Sequence, residues 1–207
     1  MRKTLTNLLI GASLIGSLFF NSCNYEKPKQ TEKAKFQSED TLLKTAGNFY
    51  YKGEYNLAKE NYTDFLEIKK NKNDSLGIAK GFQGIGAVFD VQGNYDSAVY
   101  YNINALKIYE NLKDSLGISK ISNNLGIISL EQNKEDNALE YFRKDSLIKS
   151  ALLKSTPEDS LLKSNFSTTL RNMGTIYKKQ NKNNEALKYY FSSLELAQES
   201  KNKFQEA

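Results

Sequence analysis

The side chains that most often carry catalysis are scarce in this chain. Histidine is absent, and cysteine occurs once, at Cys23. Ser-His triads, histidine metal ligands, a histidine phosphoacceptor and the usual general base near neutral pH are thereby removed, as are an internal disulfide and a Cys-rich zinc site. The acids Glu135, Asp136, Glu140, Asp145, Glu158 and Asp159 lack the alternating oxygen ligands of a calcium loop and read as solvated helix faces. Ser119 and Lys120 have the residue types of a Ser-Lys dyad, but such neighbours are common in a lysine-rich chain, and no glycine-rich phosphate loop occurs. The tyrosine pairs Tyr50-Tyr51, Tyr100-Tyr101 and Tyr189-Tyr190 could offer ring faces to sugars or bases, yet beside alanine at helical spacing they are expected to pack with a wet hydroxyl edge. The net charge of +5, or +3 without Arg2 and Lys3, is too mild for nucleic acid. No enzyme, cofactor or metal is expected; noncovalent recognition remains.

Cys23 has a context. Met1-Arg2-Lys3 precedes the uncharged apolar run Leu8 to Phe20, shorter than the roughly 20 residues of a spanning helix, and Phe20-Asn21-Ser22-Cys23 follows. This arrangement resembles a bacterial lipoprotein signal, which implies removal of residues 1–22 and acylation of the Cys23 thiol at a new N-terminus. Asn24 in place of an aspartate favours the outer membrane, with the periplasmic or surface face left open. Residues 23–38, lysine-rich and containing Pro28, read as a tether.

The rest is repetitive. Asp74-Ser75-Leu76-Gly77-Ile78-Ala79-Lys80 returns forty residues on as Asp114-Ser115-Leu116-Gly117-Ile118-Ser119-Lys120, and the same step carries Gly86 to Gly126; a longer step of 48 leads to Gly174. A small residue precedes an alanine by twelve positions in every copy: Ala46 and Ala58, Gly86 and Ala98, Gly126 and Ala138, Gly174 and Ala186. Such pairs suit two antiparallel helices whose axes approach closely. Between Tyr95 and Leu112, Ala98, Tyr101, Ala105, Ile108 and Tyr109 form one stripe, with Asn102, Asn104, Lys107 and Glu110 elsewhere. Gly93, Asn133 and Asn181 supply left-handed closures, Asp74 and Asp114 open the next helices, and Thr156 is expected to cap the last hairpin with Pro157 at its first position. The spacing predicts helix pairs at 39–52 and 55–71, 74–92 and 95–112, 114–132 and 135–153, and 157–180 and 183–200.

The order small residue, aromatic, turn, aromatic, alanine is similar to the tetratricopeptide repeat in a lengthened form of about 40 residues, over 39–207. The resemblance implies an all-α, right-handed α-solenoid of units 39–73, 74–113, 114–156 and 157–201, with a fifth starting at 202–207. The third unit departs from the pattern at Ser129, Glu135, Asp145 and Ser146 and carries an insertion around 149–156, so distortion is expected there, as a longer second helix or an extended bend. First helices would line a concave groove that binds a protein or peptide segment, through Lys80, Gln83, Asp90, Lys120, Asn123, Asn124, Glu131, Arg171, Asn172 and Lys179. Lys120 and Asn124 resemble part of a carboxylate clamp, which Gly84 and Thr168 leave incomplete.

Beyond Leu194 the pattern stops early, leaving Leu187, Tyr190, Phe191 and Leu194 without a neighbour. The chain is therefore expected to be part of a longer repeat protein or a truncated copy. Three functions follow: an envelope-anchored interaction scaffold, the sensory input of a histidine kinase or helix-turn-helix regulator, and a polysaccharide-associated accessory protein.

Overall fold

The computed structural model describes residues 38–202. The signal, Cys23 and the tether up to residue 37 lie outside the described residues, as do 203–207. Eight helices follow one another: α1 (Glu39–Tyr51), α2 (Tyr55–Asn71), α3 (Ser75–Val91), α4 (Tyr95–Asn111), α5 (Ser115–Glu131), α6 (Glu135–Ser155), α7 (Ser160–Lys179) and α8 (Asn183–Asn202). Each packs on its sequence neighbours, and the first helices α1, α3 and α5 also touch in succession, so the hairpins stack side by side as an α-solenoid. No helix among the described residues is long and apolar enough to cross a membrane.

Caps and turns set the boundaries. The Asp74 and Asp114 side chains accept from the N–H groups of Gly77 and Gly117 at 2.9 and 3.0 Å. The fourth hairpin starts differently from the sequence expectation: Thr156 ends α6, its hydroxyl donating to the Leu152 carbonyl, and Pro157 lies in the turn. Asp159 is the cap, accepting from Leu162 N–H at 2.9 Å, because Asp159-Ser160-Leu161 is a third copy of the Asp-Ser-Leu opening. Gly93, Asn133 and Asn181 close the first helices with φ of 72°, 57° and 58°, and Gly53 does the same in the first hairpin. Between hairpins, Asn73 and Lys113 also adopt positive φ. Asn202, expected to open a fifth unit, is the last residue of α8.

Every alanine of the small pairs is buried, and the glycines opposite do more than admit a backbone. A Cβ built on Gly126 would lie 2.7 Å from the fully buried ring of Phe142, four residues beyond Ala138. Gly174 makes the same space for Tyr190, and Gly86 for Asn102. Asn102, placed off the buried stripe by the sequence pattern, is thus fully buried; its amide donates to the Ala98 carbonyl at 2.8 Å, which satisfies the polar group within its own helix.

Between hairpins, a row on each first helix meets the preceding second helix. It comprises Ile78, Ile85 and Val88 on α3, Ile118, Ile121, Leu125 and Ile128 on α5, and Phe166, Met173 and Ile176 on α7. Ile121 and Leu125 share a cluster with Ala105, Leu106 and Tyr109 of α4. On α1 the same row reads Ser38, Thr41, Thr45 and Asn48. Below it, Lys69 on α2 binds Glu39 of α1 at 2.6 Å and the Asp74 cap of α3 at 2.8 Å. The hydrogen bond from Lys69 holds the carboxyls of both Glu39 and Asp74 below the usual range. Stability from these carboxylates is present above their unfolded-state values and is lost as pH falls through the depressed folded-state values.

The third unit is not distorted in its first helix, since α5 has the same 17 residues as α3. Its second helix absorbs the insertion by reaching 21 residues. Asp145, which stands where the repeat prefers a small side chain, is fully buried. It accepts from Ser119 of α5, from Thr169 of α7 at 2.6 Å and from Lys149 at 2.7 Å, while Lys149 also reaches Thr169 at 2.8 Å. Three helices are joined through one satisfied ion pair.

Two stability outcomes follow. Gly126→Ala gains about 1 kcal/mol of helix propensity but overpacks an immobile ring at about 1–3 kcal/mol, so thermal unfolding is expected a few degrees lower; an unchanged or higher midpoint would contradict the packing. Asp145→Ala strands the Lys149 ammonium and is expected to cost about 3–5 kcal/mol, most of it regained by adding Lys149→Met; chemical denaturation of the single and double variants checks both.

Candidate interaction groove

The first helices are held by their second helices on one side and by neighbouring hairpins on the others, which leaves one polar face of α3, α5 and α7 open. Lys80 and Lys120, forty residues apart at the same register, are exposed. Arg171, at the register of Asn123 on α7, is exposed as well. Lys80 and Lys120 stand in the second turns of α3 and α5 and Arg171 just past the middle of α7, and the three form an exposed basic rail. Asp90 and Glu131 occupy the last turns of α3 and α5, and Tyr50 stands at the matching place on α1.

Asp90 is half-buried, and burial raises its carboxyl above the usual range, with the Glu131 charge adding to the effect. Burial also raises the Tyr50 hydroxyl, with the Asp90 charge contributing. The ends of these first helices therefore carry the desolvated Asp90 carboxyl and Tyr50 hydroxyl beside the exposed Glu131, while the cations stand further back along α3, α5 and α7. Lys179, at the register of Glu131, reverses the sign in the fourth unit and lies 4.0 Å from Glu135.

The predicted residues divide into those left for a ligand and those used by the fold. Gln83 is half-buried, and its side-chain carbonyl accepts from the Tyr109 hydroxyl at 3.1 Å. Burial pushes that hydroxyl up to about 12, so it stays a donor. The Asn124 amide donates to Asn102 at 3.4 Å and turns toward α4, which takes half of the expected Lys120-Asn124 clamp into the hairpin contact. Asn123 keeps a buried side-chain oxygen without a hydrogen-bond partner, beside Ser122, whose hydroxyl shares that condition. Asn172 is half-buried on α7.

Sequence reasoning missed a second polar cluster where the third hairpin meets the fourth. Arg143 of α6 donates to the Tyr177 hydroxyl at 3.0 Å, and the Tyr177 and Tyr189 rings stack with centroids 5.2 Å apart. These rings border an open groove of about 500 Å3 that includes Phe166, Leu170, Lys188 and Leu196. The only signal in the sequence was an arginine one hairpin ahead of an aromatic pair. Of the other tyrosines, Tyr101 stacks on Phe89 as a packing residue, whereas Tyr51 and Tyr100 are 88% and 63% exposed, contrary to the packed role expected for them. No group of three or more acidic or cysteine side chains among the described residues could hold a metal ion.

The architecture and the groove define a class, and comparison gives it a name. Residues 169–204 match the family model described as tetratricopeptide repeat. Residues 169–204 therefore carry a tetratricopeptide repeat, and the described residues as a whole form an all-α solenoid of helix pairs. Its fold is similar to that of BtubC from P. vanneervenii, at 20% identity and a TM-score of 0.67, covering 77% of this chain and 65% of that one. MamA is similar over 86% and 87% of the two chains, at 20% identity and a TM-score of 0.57. The Rap conjugation gene regulator of plasmid pLS20, in complex with the Phr peptide, is similar over 82% of this chain at 22% identity and a TM-score of 0.65. This chain spans 65% of BtubC and 44% of that regulator. No curated protein matches it in sequence.

Asp90 supplies a pH test. Because its folded-state pKa is raised, the folded protein takes up a proton more readily than the unfolded one, and this group's contribution becomes more favourable as pH falls through that value. Asp90→Asn is expected to raise the melting temperature at pH 7 and to flatten its rise toward mildly acidic pH; a lower melting temperature at neutral pH would show that the carboxylate is stabilised rather than desolvated.

Proposed function

We propose that the protein is a non-catalytic scaffold that holds a peptide segment of a partner in the groove of its first helices, and that an acylated Cys23 ties it to the bacterial envelope. The observation that carries the first part is the exposed rail of Lys80, Lys120 and Arg171 along a face that no described element covers. Lysine and arginine at that spacing suit acidic side chains or a terminal carboxylate, and Asp90 with Glu131 at the far ends of the same helices suits lysine, arginine or a free amine. A peptide with its charges segregated would align with both. The anchor rests on the apolar run before Cys23, with the outer membrane as the favoured destination.

A second reading has one observation in its favour. The Rap regulator, whose structure was solved with a bound peptide, is similar over most of this chain, so a peptide-sensing input region of a longer signalling protein follows from the same groove. The two readings share peptide binding and differ at Cys23.

Selection from a random peptide display library on the purified repeats is expected to yield peptides with an acidic cluster, whose affinity drops about tenfold or more for each of Lys80→Glu, Lys120→Glu and Arg171→Glu. Binders indifferent to all three substitutions would remove the groove from consideration. Growth with a clickable fatty acid, followed by membrane fractionation, is expected to label the outer-membrane protein and not its Cys23→Ser variant. Absence of label from the native chain would favour the sensory reading.

A further inference from the structure

The last helix presents a face that the rest of the array uses for joining hairpins. Leu187 and Leu194 of α8 are 51% and 52% exposed. Their register equivalents in earlier second helices, Leu139 of α6 and Leu106 of α4, are 6% and 7% exposed because the next first helix covers them. Phe191 between them is 68% exposed. Tyr190 completes the stripe from its place over Gly174, its hydroxyl hydrogen-bonded to Thr175 at 3.3 Å. No described element lies against this side of α8.

We propose that this stripe is the contact through which two copies of the chain pair tail to tail about a two-fold axis, with their α8 helices antiparallel. The spacing of Leu187, Tyr190, Phe191 and Leu194 is three, one and three residues, which reads the same in both directions. Antiparallel pairing therefore sets Leu187 against Leu194 of the second copy and Tyr190 against Phe191, leaving no apolar residue unmatched. The flank agrees. Lys188 and Glu195 are exposed, stand seven residues apart on one side of the stripe, and in that antiparallel register each lies within about two residues, roughly 3 Å along the axis, of the opposite charge on the second copy. A parallel pair would face like with like.

The other end of the array argues against head-to-tail stacking. The row of α1 that would have to cover Leu187 and Phe191 is Ser38, Thr41, Thr45 and Asn48, with Ser38 and Thr41 hydrogen-bonded to each other at 2.6 Å. Burying those groups on an apolar stripe would leave donors and acceptors unpaired. Among the described residues, the open face of α1 is polar and that of α8 is apolar and self-complementary, and this combination closes at two copies.

The test uses the chain without residues 1–23, since all eight described helices lie beyond residue 38. Sedimentation equilibrium from about 1 to about 500 µM covers the weak affinity expected of a small contact. It should show a monomer-dimer equilibrium, with Phe191→Glu monomeric throughout and unchanged in helical circular dichroism. Lys188→Glu and Glu195→Lys should each weaken pairing about tenfold, and the double exchange should restore it. In this cysteine-free background, Leu187→Cys mixed with Leu194→Cys should cross-link on oxidation, while neither does so alone. A monomer at every concentration would overturn the proposal and leave the stripe to another helix; so would a dimer insensitive to Phe191→Glu, or cross-linking of either cysteine variant with itself.

Discussion

The structure depends on one constraint: a helical hairpin of this size cannot bury its own apolar surface, so each first helix must be covered by the second helix before it. Ile121 and Leu125 against Leu106 and Tyr109 are that contact in its fullest form. Everything else is arranged around it. Glycines at 86, 126 and 174 draw the two helices of a hairpin together so that Asn102, Phe142 and Tyr190 fit between them. Aspartate caps at 74, 114 and 159 fix where each first helix begins, and left-handed turn residues fix where it ends.

The same constraint explains how polar groups are distributed. Two polar side chains on buried positions are satisfied, Asn102 locally by Ala98 and Asp145 through a network of Ser119, Lys149 and Thr169, whereas the Ser122 hydroxyl is left without a partner. Removing one member strands the others, whereas removing both charges is far milder. Because packing consumes three sides of each first helix, the fourth side is the one on which charge can accumulate, with the lysines and arginine along it and the raised carboxyl of Asp90 in the last turn of α3. The groove is a by-product of stacking that sequence then decorates.

Much of this was legible in the residues themselves. The forty-residue step, the small pairs and the turn asparagines reflect backbone geometry that few residue types satisfy, so they mark hairpins and closures to within a residue or two. The fourth cap was misplaced because Thr156-Pro157 imitates a helix start, while the repeated Asp159-Ser160-Leu161 was the stronger signal. Asn102 and Asp145 were read as surface or defect because periodicity along one helix says nothing about the partner that waits on another. At the site, register located Lys80, Lys120 and Arg171, but the diversion of Gln83 to Tyr109 and of Asn124 to Asn102 depends on contacts between helices far apart in sequence.

If coupling between hairpins carries the stability, protection should follow the number of neighbours a helix has rather than its own propensity. Backbone hydrogen exchange of the dilute chain, resolved by helix, measures this most directly. The account predicts slowest exchange in α3 to α6, which have a hairpin on both sides, and progressively faster exchange toward α1 and α8. Equal protection in all eight helices, lost together in a single step, would contradict it.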